Sequence, residues 1–317
     1  MATRESKNIL VVGDIMLDRY HIGDHTRQSP EADVPLIEQK QIDDRLGGAG
    51  NVACNLKSLG LSPILVSVIG DDEVGRVIEQ LCSQKFETYH LKTLSDRPST
   101  LKSRIVDQEF KQYLRLDREV TTDLSLQDQH FIENQIIEIL ENQDIQVIVI
   151  QDYNKGLLTE GIITKIQALS RDLDIPLVVD PKKKHFSLLS NCTVFKPNLK
   201  ELSQAVGYKI PPNKEHILLA ISDLGLIDTQ SISIIVTMAE NGLFYADQNS
   251  GVKGVINGQN IIDPDVSGAG DTVLATLVLS LIAGFSIKKM AEIANTAGAA
   301  VCRKKGIEVI TLNELKA

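Results

Sequence analysis

Between Asp263 and Val273 the chain reads DPDVSGAGDTV, two glycines and three carboxylates ahead of the apolar run LATLVLSLIAGF. Gly268 and Gly270 accept backbone geometry, positive φ included, that other residues resist. The apolar run reads as a buried helix. Its first backbone N–H groups have no partner within the helix, so the turn before it is suited to an anion. A carboxylate there, Asp271, would repel a bound phosphate, which is tolerable if the residue has work to do on it. The alternative is a plain N-terminal helix charge, which the helix dipole favours in any case. A short glycine-rich loop leaves both open.

Working outward, short β-branched runs alternate with helix-like stretches. Asn8–Asp14 (NILVVGD) reads as a buried parallel strand. Leu46–Gly60 reads as a glycine turn feeding a helix closed by Gly60, Pro63–Gly70 as a strand, and Asp71–Gln84 as a helix with acids in its first turn. Helices near 126–141 and 160–172 precede strands at Ile145–Tyr153 and Ile175–Lys182. A short strand in CTVFKPN, a helix over 199–206 and a strand–turn–strand over Ser231–Asp247 follow. Two helices, near 272–283 and 287–305, complete the pattern. Such alternation predicts an α/β fold, a doubly wound and mostly parallel sheet with helices on both faces. Two stretches, Tyr20–Ile42 and Tyr89–Leu116, break the alternation with polar, extended sequence and predict a small separate sheet. Ligands of open parallel sheets sit at the carboxyl ends of the strands. Here those ends carry Gly13-Asp14, Asp152-Tyr153, Asp180-Pro181-Lys182 and Lys196-Pro197-Asn198, so one edge of the sheet is the expected site.

The 317 residues are 43% hydrophobic and 24% charged, ordinary for a globular protein with a real core. A net charge of −9 with no basic stripe argues against nucleic acid as a partner, though not against small anions in a local basic pocket. The cysteines at 54, 82, 192 and 302 form no CxxC pair and read as reduced residues of a cytoplasmic protein. No signal peptide and no membrane span are expected.

With these elements placed, the chain resembles the ribokinase-like (PfkB) family of carbohydrate kinases over essentially its whole length, as a single kinase domain spanning 1–317. The D-[TV]-[TS]-G-A-G-D signature is matched by Asp265–Asp271, with Ser267 where threonine is commoner. Gly47-Gly48-Ala49-Gly50-Asn51 matches the Gly-Gly…Asn element, and Asn198-Leu199-Lys200-Glu201 matches N-x-x-E. Within the family, the chain is most similar to the kinases of D-glycero-D-manno-heptose 7-phosphate, the kinase half of a bifunctional enzyme of ADP-heptose synthesis for lipopolysaccharide. The V-G-D-x-M-L-D-x-Y and S-P-E-A blocks within Val11–Ile37 carry that likeness, with Asp152–Gly156 (D-Y-x-K-G), Asp180–Lys182 and the Lys102, Arg104, Arg115, Asp117 spacing. Asp33 departs from the group's proline, and Lys111-Gln112 from its Gln-Gln pair. The H-x-G-H motif of the nucleotidyltransferase half is absent, so that activity is expected on a separate protein.

The resemblance implies ATP and Mg2+ as cofactors and transfer of the γ-phosphoryl group to O1 of the sugar. Asp271 would be the base, and the backbone N–H groups of Gly268, Ala269 and Gly270 the anion hole. Asp14, Gly47, Gly48 and Asn51 would contact the sugar; Arg19, Lys102, Arg104 and Arg115 are candidates for its phosphate; Asp152, Lys155 and Lys182 follow strands that reach the site. For the nucleotide, Asn198 and Glu201 would organise Mg2+ through water, with Thr237, Glu240, Gly242, Asn295 and Gly298 nearby. Relatives also hold a monovalent cation such as K+ by the glycine loop, and Asp265 would be its side-chain ligand. The extended stretches, about 15–45 and 88–117, would form a β-lid over the sugar and pair two subunits into a homodimer. A kinase for ribose, fructose or a hexose phosphate is the alternative within enzymes, and an inactive sugar- or nucleotide-binding regulator the alternative outside them.

Overall fold

In the computed structural model, residues 7–226 and 232–315 are described. Ser231, expected to open a strand, and the first six residues lie outside them. In chain order the first elements are β1 (Asn8–Gly13), β2 (Ile15–Gln28), β3 (Pro35–Gly48), α1 (Ala49–Ser58), β4 (Ser62–Gly70) and α2 (Glu73–Lys85). Then come β5 (Thr88–Leu94), β6 (Leu101–Val106), β7 (Gln112–Arg118), α3 (Leu126–Asn142), β8 (Ile145–Gln151), α4 (Glu160–Asp172) and β9 (Leu177–Asp180). The last are β10 (Val194–Phe195), α5 (Leu199–Val206), α6 (Lys214–Asp223), β11 (Ser233–Thr237), β12 (Leu243–Asp247), β13 (Lys253–Ile256), α7 (Ala269–Ile282) and α8 (Ile287–Val301).

Apolar residues at successive positions of β1 alternate between the two faces of a sheet and so bury both. Ile9 and Val11 pack with α1, α2, α7 and α8, whereas Leu10 and Val12 pack with α3, α4, α5 and α6. Nine strands form this sheet in the order β13-β12-β11-β10-β9-β8-β1-β4-β5. It is parallel from β5 through β11, and β12 and β13 add antiparallel at one edge. The ribokinase-like α/β architecture expected from the sequence is therefore present.

A second sheet, β3-β2-β6-β7, is the lid. Only Asp14 separates β1 from β2, and β3 runs directly into α1. One boundary is corrected. Thr88–Leu94, expected within the lid, pairs parallel with β4 as the edge strand of the main sheet. The polar face that suggested a lid strand belongs to an edge, where partial exposure is normal. The sequence reading also passed over α6 and β13. Asn213, whose side chain accepts from the His216 N–H, is the cap signal that marks the start of α6. Among the described residues no helix is long and apolar enough to cross a membrane.

Candidate active site

The first turn of α7 carries Asp271, and the loop before it supplies Gly268 in the left-handed region (φ 75°) as the cap. A Cβ at Gly268 would stand 2.6 Å from Nδ2 of Asn51, so only glycine lets the loop close on the first turn of α1. Asn51 is fully buried and donates from Nδ2 to Oδ2 of Asp271 at 2.8 Å. Tyr153 donates its hydroxyl to Oδ1 at 2.9 Å, and Gln151 reaches the same oxygen from Nε2 at 3.3 Å. Asp271 itself is 2% exposed. Burial pushes its carboxyl up to about 6; the Asn51 bond pulls it down, the charge of Asp180 pushes it up, and Tyr153 and Lys196 pull it down. A carboxyl group so placed is ionised at neutral pH yet close enough to neutrality to take a proton.

Beneath it lies a buried polar layer. Gln151 Nε2 also donates to Asp180 at 3.2 Å, and Asp180 pairs with the ammonium of Lys196 at 3.0 Å. Lys196 is 2% exposed, beneath the glycine loop: a Cβ on Gly270 would stand 3.9 Å from its Nζ. Asp180, Lys196 and Gln151 come from the carboxyl ends of three adjacent strands, β9, β10 and β8. Sequence reasoning singled out these strand ends but gave no role to Gln151, Tyr153, Asp180 or Lys196. Their convergence depends on strand order, which no local motif encodes.

The sugar-side candidates sort by face. In-register pairing sets Asp18, Tyr20, Lys102, Arg104, Arg115 and Asp117 on one face of the lid. Arg104 forms a buried ion pair with Asp18, and Arg115 grips Asp117 with two bonds at 3.0 and 2.9 Å. The Lys102 ammonium lies 5.2 Å from the centre of the Tyr153 ring. Arg19 is set apart from this group. Its neighbours in sequence, Asp18 and Tyr20, face inward, so Arg19 points out on the opposite face. There its guanidinium holds Asp44 at 2.7 and 2.9 Å and nears Glu73 of α2 at 3.8 Å.

Gly47 and Gly48 close the lid against the site. A Cβ on Gly47 would sit 2.0 Å from Oδ2 of Asp18, and one on Gly48 (φ 59°) 2.3 Å from the Asp14 carbonyl. Asp14 is 3% exposed and accepts from the backbone N–H groups of Tyr153, Lys155 and Leu157, which pins the loop after β8. Burial pushes its carboxyl up to about 6, against those bonds. Asp152 is wholly buried, bonded to the N–H groups of Asn154 and Lys182 and lying 2.9 Å from Nδ1 of His185, so it ties two loops together. Lys155 turns its ammonium to Glu119 at 2.7 Å.

On the nucleotide side, Asn198 and Glu201 form a reciprocal capping box at the start of α5, with bonds of 2.8 and 2.9 Å. Thr237 is bridged to Asn198. Glu201 also accepts from Lys182, so its outer oxygen already meets a cation. Among the described residues no group of three or more His, Cys, Asp or Glu is placed to hold a metal. Asn198 Oδ1 and the Glu201 carboxylate are oxygen donors, the ligand type Mg2+ takes while keeping several of its waters. Burial pushes the Asp265 carboxyl up, but it accepts from the N–H groups of Ser267 and Gly306 at 2.9 and 2.7 Å, which holds it below the usual range. A carboxylate retains further lone pairs beyond two such bonds, so Asp265 also fits a monovalent cation. Glu240 is exposed, whereas Gly242 and Gly298 serve packing: a Cβ would meet the Ile256 carbonyl at 2.1 Å and Val273 at 3.2 Å respectively. Asn295 donates to the Asn257 carbonyl at 3.0 Å.

The fold and this site together are those of a phosphotransferase acting on a sugar hydroxyl. The chain belongs to the pfkB family of carbohydrate kinases, whose profile matches residues 6–312. Bifunctional protein HldE of Hyphomonas neptunium is 36% identical over 314 residues, 98% of this chain and 63% of that one. Bifunctional protein HldE of Coxiella burnetii is 34% identical over 316 residues, again 98% and 63%. The chain thus spans 63% of the length of these curated relatives. Phosphofructokinase-2 from Escherichia coli, in a crystal structure with potassium, shares the fold with a TM-score of 0.79 at 19% identity, covering 98% of this chain and 97% of that one.

Proposed function

We propose that the chain is an ATP-dependent kinase that phosphorylates O1 of D-glycero-D-manno-heptose 7-phosphate in the cytoplasm, supplying heptose 1,7-bisphosphate for ADP-heptose and lipopolysaccharide synthesis. The observation that carries the chemistry is the buried Asp271 carboxylate, held by Asn51 and Tyr153 at the start of α7. Asp271 takes the proton of the acceptor hydroxyl as its oxygen bonds to the γ-phosphorus and the bond to ADP breaks. The N–H groups of Gly268, Ala269 and Gly270 meet the charge that develops on the transferred group. Glu201 and Asn198 would hold Mg2+ through water, and the ion would neutralise phosphate charge. Asp265 would hold K+. The sugar is argued from the heptose-kinase blocks of the sequence and from the bifunctional HldE relatives, and the inner lid face supplies Lys102, Arg104 and Arg115 for its phosphate. The outer lid face exposes Ile42, Leu114 and Leu116, which supports pairing of two lids into a homodimer. Leu116→Glu should then shift the mass measured by light scattering from dimer to monomer.

Coupled ATP turnover tests the assignment, with heptose 7-phosphate, fructose 6-phosphate and ribose as acceptors, for wild type and Asp271→Asn. Heptose-phosphate-dependent turnover lost in the variant is expected. Turnover with another sugar alone overturns the substrate, and no sugar-dependent turnover in the wild type favours a regulator.

A further inference from the structure

Three neutral donors bond the Asp271 carboxylate, Tyr153 and Gln151 at Oδ1 and Asn51 at Oδ2, and they are not equivalent. Asn51 and Gln151 are both fully buried, one on a packed helix turn and the other at the end of a central strand. Tyr153 is partly exposed and sits on the loop after β8. Its ring lies near two ammonium groups, Lys102 of the lid at 5.2 Å and Lys182, beside Glu201, at 5.0 Å from the centroid. It also stands against the strand-to-helix turn, since a Cβ on Gly48 would come within 3.4 Å of its Cδ2. Of the three donors, Tyr153 is thus the one that also neighbours a lid lysine and the lysine paired with Glu201.

A phenol O–H directed at a carboxylate oxygen is the same kind of partner as the O–H of a sugar. Burial and the neighbouring Asp271 hold the Tyr153 phenol well above the usual range, so it remains a donor. Oδ1 has two lone pairs and already accepts from Tyr153 and Gln151, so a sugar hydroxyl that bonds this oxygen must displace one of them, and partly exposed Tyr153 on its loop is the one able to leave. We propose that Tyr153 is a positioning residue whose hydroxyl holds the place of the acceptor hydroxyl on Asp271 in the sugar-free enzyme, denies that place to water, and yields it when the sugar binds. This rests on the assignment of Asp271 as the base. The side reaction it suppresses is hydrolysis. There a water oxygen bonds to the γ-phosphorus, the bond to the ADP oxygen breaks, and a water proton passes to Asp271.

Tyr153→Phe tests the role, because it keeps the ring beside the two lysines and the backbone N–H on Asp14. ATP hydrolysis without sugar should rise about tenfold, and KM for the sugar should fall severalfold, since no tyrosine bond has to be broken on binding. The acid limb of kcat/KM, which reports the free enzyme, should move to higher pH, because a bond that lowers the base's pKa is gone. The limb of kcat, which reports the complex, should stay where it is. The charged groups facing Asp271 from the neighbouring strands, Asp180 and Lys196, are unaltered. Hydrolysis within twofold of wild type with both limbs unmoved overturns the proposal, as does a collapse of kcat at unchanged KM. Asp271→Asn, assayed alongside, separates the two inferences. Sugar-dependent turnover that survives it overturns the base and Tyr153 together, whereas turnover lost in it leaves the Tyr153→Phe results to decide Tyr153 alone. The sugar-free readout needs no knowledge of the natural sugar.

Discussion

Asn51 and Asp271, 220 residues apart, hydrogen-bond across the gap between two helix starts at 2.8 Å. One belongs to the helix that continues the lid, the other to the helix that follows the glycine loop. On the proposed function, the bond would fix the base relative to the place where the sugar and the transferred phosphoryl group meet.

Activity should follow the ionisation of that base. Asp271 and Asp14 are both pushed up to about 6 by burial. The ionised fraction of each rises with pH, so kcat/KM should fall on the acid side of about pH 6. The limb should be steeper than one decade per pH unit, because Asp14 must also be charged to hold the loop after β8. A pH–rate profile between 4.5 and 8 checks this. Asp271→Asn should lower kcat by about a thousandfold at neutral pH, the usual scale of a lost general base.

The same burial makes the base a burden on stability. Its folded pKa, about 6, lies above the unfolded value of 3.8, so its contribution is fully present below 3.8 and is lost as pH rises through 6. Replacing Asp271 by Asn removes that loss. The stability of the variant relative to wild type should improve between pH 4 and pH 7 by on the order of 2–3 kcal/mol. Urea unfolding of both proteins at each pH measures the difference, in which the other titrating groups cancel.

Gly268→Ala should damage structure and chemistry together. The φ of 75° disfavours any Cβ, and the added carbon would press on the Asn51 amide. A loss of about 1–2 kcal/mol in unfolding free energy is expected. It should be accompanied by a fall in kcat as Asn51 leaves Asp271.

The buried Asp18–Arg104 pair gives a double-mutant test. Their side chains are 2% and 9% exposed. Asp18→Asn strands a buried guanidinium and should cost about 3 kcal/mol. Adding Arg104→Met should restore most of that loss, since a pair replaced whole leaves no unmatched charge. Thermal unfolding of Asp18→Asn, Arg104→Met and the double variant reads this directly.

Much of this was legible in the sequence, and the limits have physical causes. DVSGAGD announced a glycine turn, a buried helix and a special carboxylate because each depends on local chemistry. Strand ends carrying Asp14, Asp180 and Lys196 pointed to the correct edge of the sheet. The side to which Arg19 turns was hidden, because a face depends on register with β3 and β6, and a shift of one residue reverses it. Thr88–Leu94 looked like lid for the same reason: an edge strand of either sheet has the same half-polar pattern. Asp152 shares its motif with Tyr153, yet one is locked inside and the other reaches the base. Only three-dimensional placement separates them.

The absence of a linker on either side of the lid hairpin has a mechanical meaning. A flap hung on flexible loops could swing while the floor stayed still. Here β2 leaves β1 with one residue between them, and β3 enters α1 with none, so the hairpin behaves as a lever welded to its fulcrum. Tilting it strains Asp14 at one root and turns the start of α1, and with it Asn51, at the other. On the proposed function, closure over a sugar and alignment of the carboxylate would then be a single movement. An impairment at the distant tip should be felt as slower chemistry as well as weaker grip.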